Sequence, residues 1–243
     1  MQQQWRIRAR PKAMLAFILP LLLSFVSCGL PSVDYLYPPA AFSQEGETII
    51  HFQHEVRNID ESSDIFKGYD IYYHIFESLS DAQKCLLDMR SFSGSGSSFV
   101  SWFRNTSYKY PFSRLLRISS GDAVQSESEP FIIPTAGYSS FSINLNPYAT
   151  WTLSCNEDPA FLFNIRRFLL SGSHPDFFSR TSYGAGDADY TGSSNPSAGS
   201  LYIIFFAVAV GDSSESIGQK VYSTPVIIPA PDVGAPIISF GIQ

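Results

Sequence analysis

The 243-residue chain carries 22 acidic against 16 basic side chains, a formal net charge of −6, and 15% of its residues are aromatic. That balance disfavours nucleic acid as a partner, because phosphate binding needs a basic footprint. The aromatic content favours a packed core, and no stretch reaches the ~20 apolar residues of a spanning helix.

Residues 1–27 read as an export signal. Arg6, Arg8, Arg10 and Lys12 precede an apolar run from Ala13 to Val26 that only Pro20 and Ser24 interrupt, a charged region followed by a hydrophobic one. The run ends Leu23-Ser24-Phe25-Val26-Ser27-Cys28-Gly29, which resembles a bacterial lipobox, where the cysteine becomes the first residue of the mature chain and receives lipid. Phe25 stands where leucine is commonest, and the alternative is an ordinary secretory signal cut near the same place. The resemblance implies lipid on Cys28. At roughly 0.8 kcal/mol per buried CH₂, two or more acyl chains hold a protein durably on a membrane. Removing residues 1–27 takes four basic residues and no acid, so the mature charge is 12 − 22 = −10. Such acidity serves solubility and also suits basic partners or calcium.

Residues 28–47, with prolines and small polar side chains, read as a lipidated tether. A single β domain over 48–230 follows, although the length also allows two small ones, and 231–243 is a C-terminal tail. Thr48–Val56 and Gly68–Phe76 read as strands rich in Ile, Tyr and Phe. From Ser80 to Arg90 the apolar period changes to three and four, which predicts one short helix with Ser80 and Gln83 as a capping box. The Ser-Gly run 93–98 then ends it. Further strands are expected at Phe99–Phe103, Arg114–Ser119, Phe131–Ile133, Ser140–Asn144 and Thr150–Cys155, and within Pro159–Leu170. The run LYIIFFAVAVG at 201–211 has almost no polar atom, as expected of a strand covered on both faces. With VYSTPVIIP at 221–229 it makes a hairpin.

These elements add up to an all-β fold, an antiparallel β-sandwich. Tyr202–Val210 and Val221-Tyr222-Ser223-Thr224-Pro225 are similar to the F and G strands of fibronectin type III domains, and Gly68-Tyr69-Asp70-Ile71-Tyr72-Tyr73 to their C strand. The resemblance implies an immunoglobulin-like sandwich in which these residues are core. About 125 residues separate Phe76 from Tyr202, so it also implies a large insertion. The lipobox, the Gly-Tyr-x-Ile-Tyr-Tyr strand and the proline-ended terminal strand together resemble uncharacterised lipoproteins of spirochaetes such as treponemes, which implies an envelope location and no known chemistry.

Chemistry is sparse in the linear sequence. No nucleophile elbow, zinc-protease helix or phosphate-binding loop occurs. Among His51, His54, His74 and His174, the first two lie three apart, on opposite faces of a strand, so no metal site and no cofactor is expected. Cys85 and Cys155 are either a disulfide or two separately buried thiols. The loop 171–200 is dense in Ser, Gly, Asp and Tyr, and Tyr183, Asp187, Asp189 and Tyr190 in it form an expected interaction surface. The expectation is a non-catalytic lipoprotein, exported and anchored to a bacterial cell membrane, that binds a protein or carbohydrate or serves a structural role. The alternative is a glycan hydrolase using Asp187 or Asp189.

Overall fold

Two long apolar runs form the centre of the molecule. In a computed structural model, which describes residues 34–46, 48–118, 125–126, 128–134, 137–145, 150–166, 201–228 and 238–240, they are the strands β3 (Phe66–Phe76) and β9 (Leu201–Asp212). The chain divides into units 1–34 and 35–243, and both strands belong to the second. They pair antiparallel from Gly68↔Val210 to Phe76↔Tyr202, with a bulge between Phe66 and Gly68. Gly68 has φ +152°, and a Cβ there would lie 2.2 Å from the Ile132 carbonyl oxygen. Only glycine lets the 130–132 segment reach Tyr69, whose N–H donates to Ile132 O at 2.8 Å.

The free edge of β9 is covered in succession by β10 (Lys220–Tyr222), β11 (Val226–Ile228) and β12 (Ile238–Phe240), while β4 (Ser113–Arg114) pairs with β3. A second antiparallel sheet has the order β1-β2-β6-β7-β8-β5. Its strands are β1 (Ala41–Glu45), β2 (Ile49–Gln53), β5 (Leu116–Ile118), β6 (Ser140–Asn144), β7 (Thr152–Cys155) and β8 (Leu162–Arg166). The two antiparallel sheets make the mostly-β sandwich expected from the strand pattern.

Side-chain alternation explains the layering. From the β3–β9 sheet, Tyr69, Ile71, Tyr73 and Ile75 with Leu201, Ile203 and Phe205 meet Phe52, Phe141, Ile143, Leu153 and the fully buried Trp151 in a core between the sheets. The opposite face carries Tyr72, Phe76, Ile204, Phe206 and Val208, which pack under helices. Phe206 stacks on Tyr72 at 4.9 Å and meets Phe99 and Phe112 edge-on or tilted at 5.1 and 5.2 Å. The second sheet has one buried and one solvated face, so β2, β6 and β7 alternate.

Several expectations are corrected. Three helices occur among the described residues, not one: α1 (Arg57–Asp60), α2 (Leu79–Ser91) and α3 (Gly96–Arg104). The helix of the Ser80–Arg90 period is α2, but its N-cap is Ser78 without a side-chain cap bond, so Ser80 and Gln83 form no capping box. Phe99–Phe103 lies in α3 rather than in a strand, because Phe99, Val100 and Phe103 must share one helical face to cover Phe206. Ser95, read as a breaker, caps that helix by accepting from the Ser98 N–H at 3.2 Å. The strand over Arg114–Ser119 breaks at Leu115 as the chain crosses from one sheet to the other. Phe131–Ile133 makes only the single bridge to Tyr69. The 221–229 run is split into β10 and β11 around Ser223-Thr224-Pro225. Residues 41–45, read as tether, pair as β1 with Phe42 buried, and 238–240, read as tail, pair as β12.

Candidate functional site

Helix α3 docks closely on β10. A Cβ on Gly96 would lie 1.9 Å from Ser223 O and 2.5 Å from Tyr222 O, so glycine permits the helix to start against that backbone. The helix then presents Ser97, Val100, Ser101, Arg104 and Asn105, spaced three and four apart, toward Tyr222. They line a cavity of about 430 Å³. A second cavity of about 260 Å³ is lined by Asp70, Tyr72, Arg104, Arg114, Ser128, Lys220 and Tyr222. Arg104 and Tyr222 line both, so the two form one two-part cleft on the helical side of the β3–β9 sheet.

Its floor is a buried ion pair. Arg114 Nη1 donates to Asp70 Oδ1 at 3.1 Å, and the side chains are 5% and 1% exposed. Nη1 and Nη2 also donate to Glu129 O and Ser126 O at 2.6 and 3.2 Å. Asp70 further accepts from the Phe131 N–H at 3.0 Å and the Tyr72 hydroxyl at 3.3 Å. Every partner a buried charge pair needs is present, and the network ties Ser126, Glu129 and Phe131 to β3 and β4. The Lys220 ammonium donates to Ser128 O at 3.0 Å, extending the same frame to the rim.

The cleft is basic on an acidic chain. Arg104, Arg114 and Lys220 against Asp70 give 3 − 1 = +2 among its lining residues. The exposed Arg104 forms no ion pair among the described residues and stands 5.6 Å over the Tyr72 ring. Burial, then Asp70, pushes the Tyr72 hydroxyl well above its ordinary range and also raises Tyr222, so both stay neutral donors. Asp70, the carboxylate among the described lining residues, already accepts from Arg114, the Phe131 N–H and the Tyr72 hydroxyl. The paired free carboxylates of glycan hydrolysis are therefore not found among the residues lining this cleft.

Three histidine networks lie elsewhere. His51, on the solvated face of β2, joins Glu45 through Nε2 at 2.8 Å and Ser142 Oγ through Nδ1 at 3.0 Å. This has the connectivity of an acid–base–nucleophile chain. However, Ser142 sits mid-strand between β2 and β7, where backbone N–H groups serve the ladders rather than an oxyanion. Ser142 also bonds Asn156 at 3.1 Å, and the whole reads as a sheet-surface network.

The Tyr69 hydroxyl accepts from the Glu55 N–H at 3.0 Å and Asn58 Nδ2 at 3.2 Å, so its own proton goes to His54 Nδ1 at 2.7 Å. This places the imidazole proton on Nε2, which is buried with no hydrogen-bond partner among the described residues, and burial lowers the His54 pKa. His74 donates Nδ1–H to Pro111 O at 2.7 Å, and burial lowers its pKa to about 4. Both histidines thus act as neutral core members.

Of the residues expected from sequence, Cys28, Tyr183, Asp187, Asp189 and Tyr190 lie outside the described residues. Cys85 and Cys155 are both free and buried. They belong to different layers, Cys85 under the helices and Cys155 between the sheets, so the disulfide is not formed. No group of three or more His, Cys, Asp or Glu able to hold a metal occurs among the described residues, and no described helix is long and apolar enough to cross a membrane.

Sequence reading missed Arg104, Arg114, Lys220 and Tyr222. Asp70, a charge inside an apolar strand, was the one local sign of this site, because such a residue must find a partner. No family model matches the sequence, and no curated protein and no solved structure gives a significant match.

Proposed function

We propose that this chain is an exported bacterial lipoprotein, held on a cell membrane through lipid on Cys28, whose β-sandwich binds an anionic ligand without transforming it. The observation that carries the binding reading is the two-part cleft, where the exposed Arg104 has no ion pair among the described residues on a chain of net charge −6. Local positive potential on an acidic protein concentrates anions at one place. Its described carboxylate, Asp70, is buried and held by Arg114, the Phe131 N–H and the Tyr72 hydroxyl, which favours binding over catalysis.

The anchor rests on the lipobox-like run ending at Cys28. The fibronectin type III-like reading is supported by strand order. β10, β9 and β3 lie side by side as G, F and C strands would, and β1, β2 and β6 are neighbours in the facing sheet as A, B and E would be. In that reading α2, α3, β4 and β5 occupy the insertion before β6, and the insertion supplies one side of the cleft while β3 and β10 supply the other. The spirochaetal lipoprotein resemblance agrees with this anchored, displayed arrangement.

Two measurements on the full chain test the proposal. Metabolic labelling with a fatty acid should mark the wild type and not Cys28→Ala, and unlabelled wild type would refute the anchor. Inorganic phosphate titrated against the protein by NMR should shift resonances of Tyr222 and α3. Unmoved spectra at low ionic strength, with other anions equally silent, would refute the anion site.

A further inference from the structure

We infer that His54, Tyr69 and Asn58 form an acid-sensitive latch: protonation of His54 loosens Asn58 and frees the strap of residues 35–39 that Asn58 clips to the sandwich. The latch stands on contacts within the domain, and only its consequence for a tethered protein rests on the Cys28 anchor proposed above.

The strap runs into β1 without regular secondary structure. Asn58 of α1, fully buried, stands in for a partner strand: its Oδ1 accepts from the Tyr37 N–H and its Nδ2 donates to Tyr37 O, both at 2.8 Å. Around this clip, Ser62 Oγ donates to Tyr35 O at 2.9 Å, the Arg57 guanidinium lies 4.1 Å over the Tyr37 ring, and the Tyr37 hydroxyl donates to Glu61. Leu36 is buried in the core between the sheets. The second Nδ2 proton of Asn58 goes to the Tyr69 hydroxyl at 3.2 Å, which couples the clip to β3.

That hydroxyl has no spare acceptor position. It accepts from the Glu55 N–H at 3.0 Å and from Asn58, so its own proton goes to His54 Nδ1 at 2.7 Å. His54 is 6% exposed, its ring stacks 5.8 Å from Phe66, and its Nε2 has no hydrogen-bond partner among the described residues. A proton added at Nδ1 therefore points at a filled oxygen, and the Tyr69 proton loses its acceptor. One donor must withdraw. The Glu55 N–H is fixed in the main chain, whereas the Asn58 amide can turn, and turning it breaks both bonds to Tyr37.

Burial lowers the His54 pKa from 6.5, against the opposite pull of Glu55, whose carboxylate is held by Arg57, and of Asp60 in α1. Opening restores the ordinary pKa and so takes up a proton. The clip is complete above pH 6.5 and weakens as pH falls toward the folded-state pKa, by up to about tenfold per pH unit. Leu36 still holds the strap by apolar contact, so acid raises the opened fraction rather than unfolding the domain. On a chain anchored at Cys28, five freed residues add roughly 17 Å of extended reach between lipid and domain.

Amide exchange of the full chain followed by NMR, corrected for its intrinsic pH dependence, reads the latch at the Tyr37 N–H. Between pH 7.5 and 5 its protection is expected to fall at least about threefold, with the midpoint of the His54 ring titration, while the amides of β3 and β9 hold. His54→Gln, whose amide oxygen accepts from Tyr69 at every pH, should flatten the fall, and Glu61→Gln should leave it. A His54 ring that titrates with no loss at Tyr37 would overturn the latch, as would equal losses in β3 and β9 or a fall abolished by Glu61→Gln. The wild-type midpoints decide the matter even where His54→Gln does not fold. None of these readouts involves Cys28, so absent fatty-acid labelling would remove the anchor and leave the latch standing.

Discussion

Replacing Arg114 by methionine removes one half of the charge pair under the cleft and keeps most of the side-chain volume. The Asp70 carboxylate, 1% exposed, would then retain only the Phe131 N–H and Tyr72 hydroxyl bonds. Glu129 O and Ser126 O would lose their guanidinium donors. Deleting one partner of a buried pair costs roughly 3–5 kcal/mol, because the remaining charge is uncompensated. Asp70→Asn should cost less, about 1.5–3 kcal/mol, the usual worth of a bond to a charged group. Its amide oxygen can still accept from Arg114 and Phe131, and the guanidinium keeps two carbonyls. The double variant removes both charges and should fall short of the summed losses by about 1–3 kcal/mol. Urea unfolding at neutral pH, followed by tryptophan emission and circular dichroism, reads this directly. With a slope of about 2 kcal/mol per molar urea, Arg114→Met should lower the midpoint by about 1.5–2.5 M. A shift under about 0.5 M, or strict additivity in the double variant, would refute the view that this pair holds Ser126, Glu129 and Phe131 in place.

His74 predicts acid sensitivity. Its folded-state pKa of about 4 lies below the ordinary 6.5 because burial disfavours the charged ring, so the neutral ring's contribution is complete above pH 6.5 and is lost as pH falls toward 4. The full span is worth about 3 kcal/mol, and His74→Asn should flatten the fall in urea midpoint between pH 7 and 4.5; an unchanged slope would count against it. Gly96→Ala should destabilise by about 1–3 kcal/mol through overpacking against Ser223 and Tyr222, seen as a lower thermal midpoint and weaker ligand binding. An unaltered midpoint would show that α3 does not need this contact. Cys85, its thiol pushed up to about 12 by burial, should resist Ellman's reagent at pH 8 in the folded protein and react in urea. Prompt labelling of the native state would contradict the core placement.

The central strands were legible because burial on both faces leaves a continuous apolar run, and at 66–76 and 201–212 nothing but a covered strand explains so many consecutive aromatic and β-branched side chains. The period of α2 was legible for the same kind of reason. Helix α3 was not, since FVSWF suits a strand by propensity and becomes helical when Phe99, Val100 and Phe103 are needed together over Phe206. Strand β1 hid in a proline-rich segment, where only pairing with β2 distinguishes it from a spacer.

By itself, then, the sequence determined what depends on local pattern: an apolar run from Ala13 to Val26 just before Cys28, an acidic chain, strands of period two and one helix of period 3.6. Tertiary structure decided what depends on residues far apart in the chain. It kept Cys85 and Cys155 in separate layers, and it brought Asp70, Arg104, Arg114, Lys220 and Tyr222 to one cleft across 152 residues of separation. No local rule encodes that meeting, because it follows from β9 pairing with β3 on one edge and β10 on the other. The buried charge of Asp70 required a partner, and only the fold could choose Arg114.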